Sequence, residues 1–364
     1  MASPEAKAGS DPVGGLGLAR VRRAWGFLRA FRFSPGAVFD WLRLRRILEG
    51  ACAVRTVAAG EDVGLFAALR RGPCTPEELR RRLQLPPECL RILLDSALHF
   101  RLVRRKGERI VPGRLLRRLW HSDGLGVAFT AYCVANAGAG AIAAIRRRPS
   151  ARRGEEFYRA MGCAGADGIR RYGSYMAATA SLSSQVLART WDLRRVERLL
   201  DVGGGLGHVS RALLRRHPRL RATVADLPAV CEEGRRLGGE RLSFVPLDFL
   251  TQPLPAGHDA ILFARVLHDW DGETADRLLA KAYAALAPGG EVAIYEILRR
   301  RELGNAGSVV VAQWEVLLGG TGGDVRTLED YRRRLRRAGF DSVRARHPVD
   351  LQNWGSLITA RRPG

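Results

Sequence analysis

Lysine is almost absent from this chain: of 60 lysine and arginine residues, only Lys7, Lys106 and Lys281 are lysines. The net charge of +23 is therefore arginine charge, and it is spread over many predicted helices rather than gathered in one tail. A basic stripe or tail is the electrostatic footprint of a nucleic-acid binder. A scattered arginine excess reads instead as solvated helix faces, so no nucleic-acid partner is expected. The six cysteines, Cys52, Cys74, Cys89, Cys133, Cys163 and Cys231, include no C-x-x-C pair, and no His/Cys cluster has zinc spacing. They read as small apolar core residues in a reducing compartment, and no metal is expected. No apolar run is long enough to span a bilayer. Nor does the N-terminus carry an apolar stretch ending in a small-residue cleavage site, so a cytoplasmic location is the expectation.

With 364 residues, the chain has room for about two domains. Residues 1–40 stand apart: the first 20 are rich in Gly, Ala, Ser and Pro, and Val21 to Phe31 form a basic, roughly amphipathic stretch. Such a stretch can lie on a membrane surface; packing on a partner subunit or on its own domain is the favoured reading. Residues 41–122 are mainly helical. Within them Thr75, Pro76 and Glu78 spell an N-cap, a first-turn proline and a capping box, and a second helix starts near Pro87. Leu102 to Val111 read as two short strands around Gly107. Helix, turn, helix and hairpin make a winged-helix pattern. The candidate recognition helix, Glu88 to Phe100, is mostly apolar and offers few side chains for base edges, so burial in a subunit interface is expected of it.

Residues 123–190 are helical and are expected to contribute to an acceptor pocket. From residue 191 the texture changes. Strand-like runs at Leu199–Val202, Arg221–Ala225, Leu242–Val245, Ala260–Phe263 and Glu291–Glu296 alternate with helical runs. Alternation of this kind implies an α/β fold with a parallel sheet covered on both faces. Ligands of such folds bind at the carboxyl ends of the strands.

The first of those strand ends carries Asp201-Val202-Gly203-Gly204-Gly205-Leu206-Gly207. A dinucleotide fingerprint, G-x-G-x-x-G, would need glycine at position 208 or 210, where His208 and Ser210 stand. What remains is G-x-G-x-G preceded by an acid. Asp201 would repel a pyrophosphate but can help hold an ammonium group. Asp226 ends the next strand, where a carboxylate can accept hydrogen bonds from both ribose hydroxyls. Asp248 and Phe249 end the third, and suit an adenine's amino group and ring face.

These residues, together with Ala264-Arg265-Val266-Leu267-His268-Asp269-Trp270-Asp271, Ala287-Pro288-Gly289-Gly290, Glu296 and Arg337-Ala338-Gly339-Phe340, resemble the class I O-methyltransferases of the acetylserotonin, caffeate and bacterial polyketide tailoring type. The resemblance covers roughly residues 40–362. It implies a Rossmann-like methyltransferase sheet with an N-terminal winged-helix dimerisation domain, hence a homodimer. It also implies S-adenosylmethionine held by Asp201, Gly203, Gly205, Asp226, Asp248, Phe249 and Arg265. His268 would be the general base that deprotonates a small, hydroxylated, aromatic acceptor, with Glu296 as its carboxylate partner. The family commonly places a second acid immediately before an Arg-Thr pair. Here that pair is Arg326-Thr327 and the preceding residue is Val325, so Asp324, one position earlier, is the candidate substitute. Without it the base rests on Glu296 alone, which keeps open the non-methylating chemistry, hydroxylation or decarboxylation, of some relatives. Tyr158, Met161, Met176 and Trp314 are the candidates for the acceptor pocket, since aromatic and Met side chains suit a flat acceptor.

Overall fold

The computed structural model describes residues 35–121, 133, 137, 139–146, 156, 160, 165–299, 306–319, 322–348 and 355–364. The amphipathic stretch 21–31 and the pocket candidates Tyr158 and Met161 lie outside them. The chain divides into two compact units, Met1–Arg46 and Ile47–Gly364. Of the first, only the opening turns of helix α1 (Pro35–Asp62) are described.

The second unit opens with α2 (Leu65–Arg70), α3 (Pro76–Leu83) and α4 (Pro87–His99), followed by strands β1 (Val103–Lys106) and β2 (Arg109–Pro112) and helix α5 (Arg114–His121). Helix α3 starts where its capping chemistry dictates. Thr75 Oγ1 accepts the Glu78 N–H at 3.2 Å, and Glu78 Oε2 accepts the Thr75 N–H at 2.8 Å. Strands β1 and β2 pair antiparallel from Val103↔Pro112 to Lys106↔Arg109. Next come α6 (Ala139–Arg146) and the long α7 (Gly165–Thr190).

A sheet with alternating helices follows: β3 (Arg198–Val202), α8 (His208–Arg216), β4 (Arg221–Asp226), α9 (Pro228–Arg236), β5 (Leu242–Pro246), β6 (Ala260–Ala264), a 3₁₀ turn (Leu267–Asp269), α10 (Gly272–Ala285) and β7 (Glu291–Ile297). The fold ends with α11 (Ala306–Gly319), α12 (Leu328–Arg337), β8 (Asp341–Arg346) and β9 (Gly355–Arg361). The strand order is β5-β4-β3-β6-β7-β9-β8. β3 to β7 run parallel, while β9 is antiparallel to both neighbours.

The apolar runs explain the layers. Leu200, Val202, Ile261, Phe263, Val292 and Ile294 face one core with Leu278, Leu279 and Trp270. Leu199, Ala260, Leu262, Ala293 and Tyr295 face the other with Leu187 and Leu213. The two-residue alternation of strand side chains thus feeds two cores, which is why the central strands read as continuous apolar sequence. Each Leu, Ile or Phe removed from water there contributes on the order of 1.5–3 kcal/mol.

Helix α4 corrects one expectation. Its Cys89, Leu90, Ile92, Leu93, Leu94 and Ala97 are no more than 4% exposed. They share a core with Val310, Trp314 and Leu317 of α11, so the chain buries this face against itself. Trp314 is thereby corrected too. It is fully buried in that core, with its indole N–H donating to Ser96 Oγ at 3.2 Å, and does not line the crevice described below.

Candidate active site

Strand order reverses between β3 and β6, and the loops leaving these two strands open a crevice at their carboxyl ends. The cavity is about 290 Å³. Its floor is the glycine loop. Gly203, Gly205 and Gly207 have φ of 67°, 57° and 79°, in the left-handed region that a Cβ disfavours. Gly204 is needed for a different reason: a Cβ there would lie 2.6 Å from the Asp201 carboxyl. Asp201 is fully buried beneath the loop. Its Oδ2 accepts from Ser210 Oγ at 2.6 Å, whereas its Oδ1 has no partner among the described residues. Burial, with a contribution from Asp226, raises its carboxyl to about 7 against the Ser210 bond.

Asp226 at the end of β4 ties the loop to the next strand: its Oδ2 accepts the Gly205 N–H and its Oδ1 the Leu227 N–H, both at 2.8 Å. Burial pushes this carboxyl up against the pull of those two bonds. Asp248 and Phe249 follow β5 and also line the crevice. Asp248 Oδ1 accepts the Leu250 N–H at 3.0 Å, and the Phe249 ring meets Trp270 edge-on at 6.0 Å between centroids. The five acidic and aromatic positions read from the sequence at successive strand ends, Asp201, Asp226, Asp248, Phe249 and His268, therefore converge on one cavity.

The opposite wall is the turn after β6. Arg265 sits at φ 59°, a left-handed value uncommon for a residue with a side chain, and its N–H is held by Tyr295 O at 2.9 Å. His268 follows in the 3₁₀ turn. Glu296, from β7, is 1% exposed and is spent wholly on this turn. Its Oε1 accepts the N–H groups of Val266 and Leu267 at 3.1 and 3.0 Å, and that of His268 at 3.4 Å. Its Oε2 lies 2.6 Å from His268 Nδ1. The Asp269 carboxylate stands 3.4 Å from His268 Nε2. Burial lowers the imidazole's pKa, but the Glu296 and Asp269 charges outweigh it and raise the value to about 9.

Asp324 does not take up the second-acid position. Its backbone N–H bonds His268 O at 2.9 Å, but its carboxylate pairs with Arg91 of α4. Val325 is buried with Val309 and Ala312, beside Ile297. The cause is Gly323, where an added Cβ would lie 1.9 Å from His268 O and 2.6 Å from the Asp269 carbonyl carbon. The loop presses its backbone onto the turn, and the side chain after the contact is directed outward. Both obstructing atoms are backbone, so Gly323→Ala is expected to cost about 2–3 kcal/mol. Urea unfolding would measure it against Gly140→Ala, which has open space around it; equal midpoints would refute the close approach.

Met176, a candidate for the acceptor pocket, lines the crevice. The sequence reading missed Ile169, Tyr172 and Gly173 of the same helix, and Glu315 and Val316 of α11. The signal was available: Ile169, Tyr172, Gly173 and Met176 recur at helical three- and four-residue spacing and so share one face.

The chain is similar to known proteins. An O-methyltransferase domain family matches residues 156–341. The 3-hydroxy-5-methyl-1-naphthoate 3-O-methyltransferase of Streptomyces sahachiroi is 30% identical over 311 residues, 83% of this chain and 90% of that enzyme. Among solved structures, an O-methyltransferase family 2 protein from Planctomyces limnophilus, in complex with apigenin, shares the fold with a TM-score of 0.72 at 24% identity; the match covers 88% of this chain and 95% of that one. Human N-acetylserotonin methyltransferase in complex with SAM shares it with a TM-score of 0.54 at 21% identity, over 98% and 100% of the two chains. The chain belongs to this family of S-adenosylmethionine-dependent O-methyltransferases.

Proposed function

We propose that this enzyme methylates a hydroxyl of a small aromatic acceptor, with His268 as general base. The observation that carries the reading is the 2.6 Å contact between His268 Nδ1 and a Glu296 whose other oxygen binds the backbone of the same turn. That contact fixes the tautomer, leaving Nε2 as the nitrogen that can take a proton. When bound, S-adenosylmethionine supplies the sulfonium methyl that is transferred. The residues present fit it. Asp201 Oδ1 is a buried acceptor without a donor among the described residues, suited to the ammonium group, and Gly205 has open space where a side chain would stand. Asp226 has acceptor capacity left on both oxygens for ribose hydroxyls, and Asp248 with Phe249 would meet the adenine. Arg265 completes this wall.

Tyr172, Met176 and Val316 offer the apolar surface for a flat acceptor, and the relative acting on a hydroxynaphthoate supports an aromatic one. Tyr158 and Met161 remain candidates for the same pocket. Residues 41–122 are proposed as a winged-helix dimerisation domain preceding the catalytic domain, and the enzyme as a homodimer in the cytoplasm. Among the described residues, no helix is long and apolar enough to cross a membrane.

The acid–base chemistry has a clear sign. An imidazole raised to about 9 is protonated at pH 7, and only the neutral form can accept a proton. kcat/KM is therefore expected to rise about tenfold per pH unit from 6 to 8 and to level near 9. Initial rates with labelled S-adenosylmethionine and a panel of 3-hydroxy-1-naphthoate, N-acetylserotonin and apigenin would measure this. A profile already flat at pH 7 would count against the ion-paired base.

A further inference from the structure

The Glu296 carboxylate holds only one side of the catalytic turn, its N–H side. The carbonyls point the other way, and a separate segment takes them. Arg326 Nη1 donates to Leu267 O and Nη2 to Trp270 O, each at 2.6 Å, and the Asp324 N–H donates to His268 O between them. Arg326 is 3% exposed. Its planar fork directs one N–H to each of these two carbonyls, in a geometry fixed by the guanidinium. Gly323 lets this segment approach the turn to a distance no side chain would permit.

The geometry points to Gly323–Arg326 as a positioning clip for His268, with Arg326 the positioning residue and Asp324 its anchor to the N-terminal helices. This rests on His268 being the base. The clip acts without a carboxylate at the position immediately before the Arg326-Thr327 pair. Val325 at that position is buried among aliphatic side chains and gives the imidazole no hydrogen bond, so the histidine is oriented through its backbone. The anchor is polar and continuous. Asp324 pairs with Arg91, Arg91 lies 3.5 Å from Asp95, and Asp95 accepts from Gln313 Nε2 of α11 at 3.1 Å. A displacement of α4 is therefore transmitted to the backbone of the catalytic turn through paired charges rather than through soft apolar packing.

A merely structural arginine would alter stability and leave the imidazole's titration alone. The test follows His268 directly, by NMR of protein carrying ¹⁵N-labelled histidine, with the resonance assigned by its loss in His268→Ala. The charges facing the imidazole are Glu296, Asp269 and Arg265, and all are retained in the variants. Wild type should titrate near 9. In Arg326→Met the turn is free to drift from Glu296. The titration should fall by about one unit or more, and kcat read above pH 9, where the imidazole is neutral in wild type and variant alike, should drop roughly ten- to a hundredfold with KM for S-adenosylmethionine changed less than about threefold. Arg326→Lys should recover part of both. Arg91→Met, at a side chain that is 24% exposed, should shift both in the same direction, by about threefold in kcat. Wild-type titration and kcat in folded Arg326→Met would overturn the proposal. Should that variant not fold, the same result in both Arg326→Lys and Arg91→Met would overturn it. Full turnover in His268→Ala would instead remove the base assignment, and the NMR titration would still report whether the clip sets the histidine's environment.

Discussion

Replacing His268 by alanine is expected to lower turnover roughly a hundredfold at pH 7 while leaving the affinity for S-adenosylmethionine within about twofold. The sulfonium is a good leaving group, so alignment and deprotonation of the acceptor carry the catalysis. A phenol with pKa near 10 is ionised at only about one part in a thousand at pH 7, which sets the ceiling on what a base can add. The pH dependence separates the base role from a packing role. With His268 as the base, wild type would depend on the neutral imidazole, scarce below 9, and the variant on the free phenolate. Both rates climb about tenfold per unit, so their ratio holds to about pH 9 and narrows beyond it as the phenol ionises unaided. A histidine needed only for packing would give a ratio independent of pH throughout. Retention of more than half the turnover at pH 7 would remove His268 from the role. Glu296→Gln provides the companion measurement. The amide oxygen still accepts the Val266 and Leu267 N–H groups, but the charge that raises the imidazole is gone, so the acidic limb should move below 9.

What could be read from the sequence followed from how local each determinant was. The α3 cap is visible in Thr75, Pro76 and Glu78 because all its hydrogen bonds lie within four residues. β3 to β7 are visible because strands covered on both faces are apolar throughout. β8, Asp-Ser-Val-Arg-Ala-Arg, was not visible: it is an edge strand, exposed except at the half-buried Val343 and Ala345, and its sequence is that of a solvated surface. β9 pairs with β7 over seven residues but runs antiparallel, without the crossover helix that marks the other strands. The same limit explains the errors. An apolar α4 announces that one face is buried without naming what covers it, and only the tertiary contact with α11 identifies the covering as the chain itself. Asp324 was misread because its direction is set by the approach of Gly323 to a carbonyl 55 positions earlier in sequence, at His268. Arg326 served only as a landmark, since an arginine's use on two distant carbonyls has no sequence signature.

Asp201 should reverse the usual acid–stability relation and link it to cofactor binding. Its carboxyl is raised to about 7 by burial, far above the ordinary aspartate value. A native state that holds a proton more tightly than the unfolded chain loses stability as pH rises between the two values. Without the cofactor, this group's contribution therefore declines from about pH 4 to 7 and is constant above, by on the order of 4 kcal/mol. An ammonium placed on Oδ1 supplies the missing partner and favours the ionised form. Binding of S-adenosylmethionine should then release close to one proton at pH 6, and affinity should improve roughly thirtyfold from pH 5.5 to 8. Asp201→Asn removes the ionisation. It should raise the unfolding midpoint of the free enzyme at pH 8, bind about ten- to a hundredfold more weakly there, and show no pH dependence of affinity. At pH 5.5 the two proteins should bind alike, because the wild-type carboxyl is itself neutral. Calorimetry in buffers of different ionisation enthalpy reads the released proton directly. A wild-type affinity that is flat across this range would place the ammonium elsewhere, and leave Asp201 as a support for the glycine loop through Ser210.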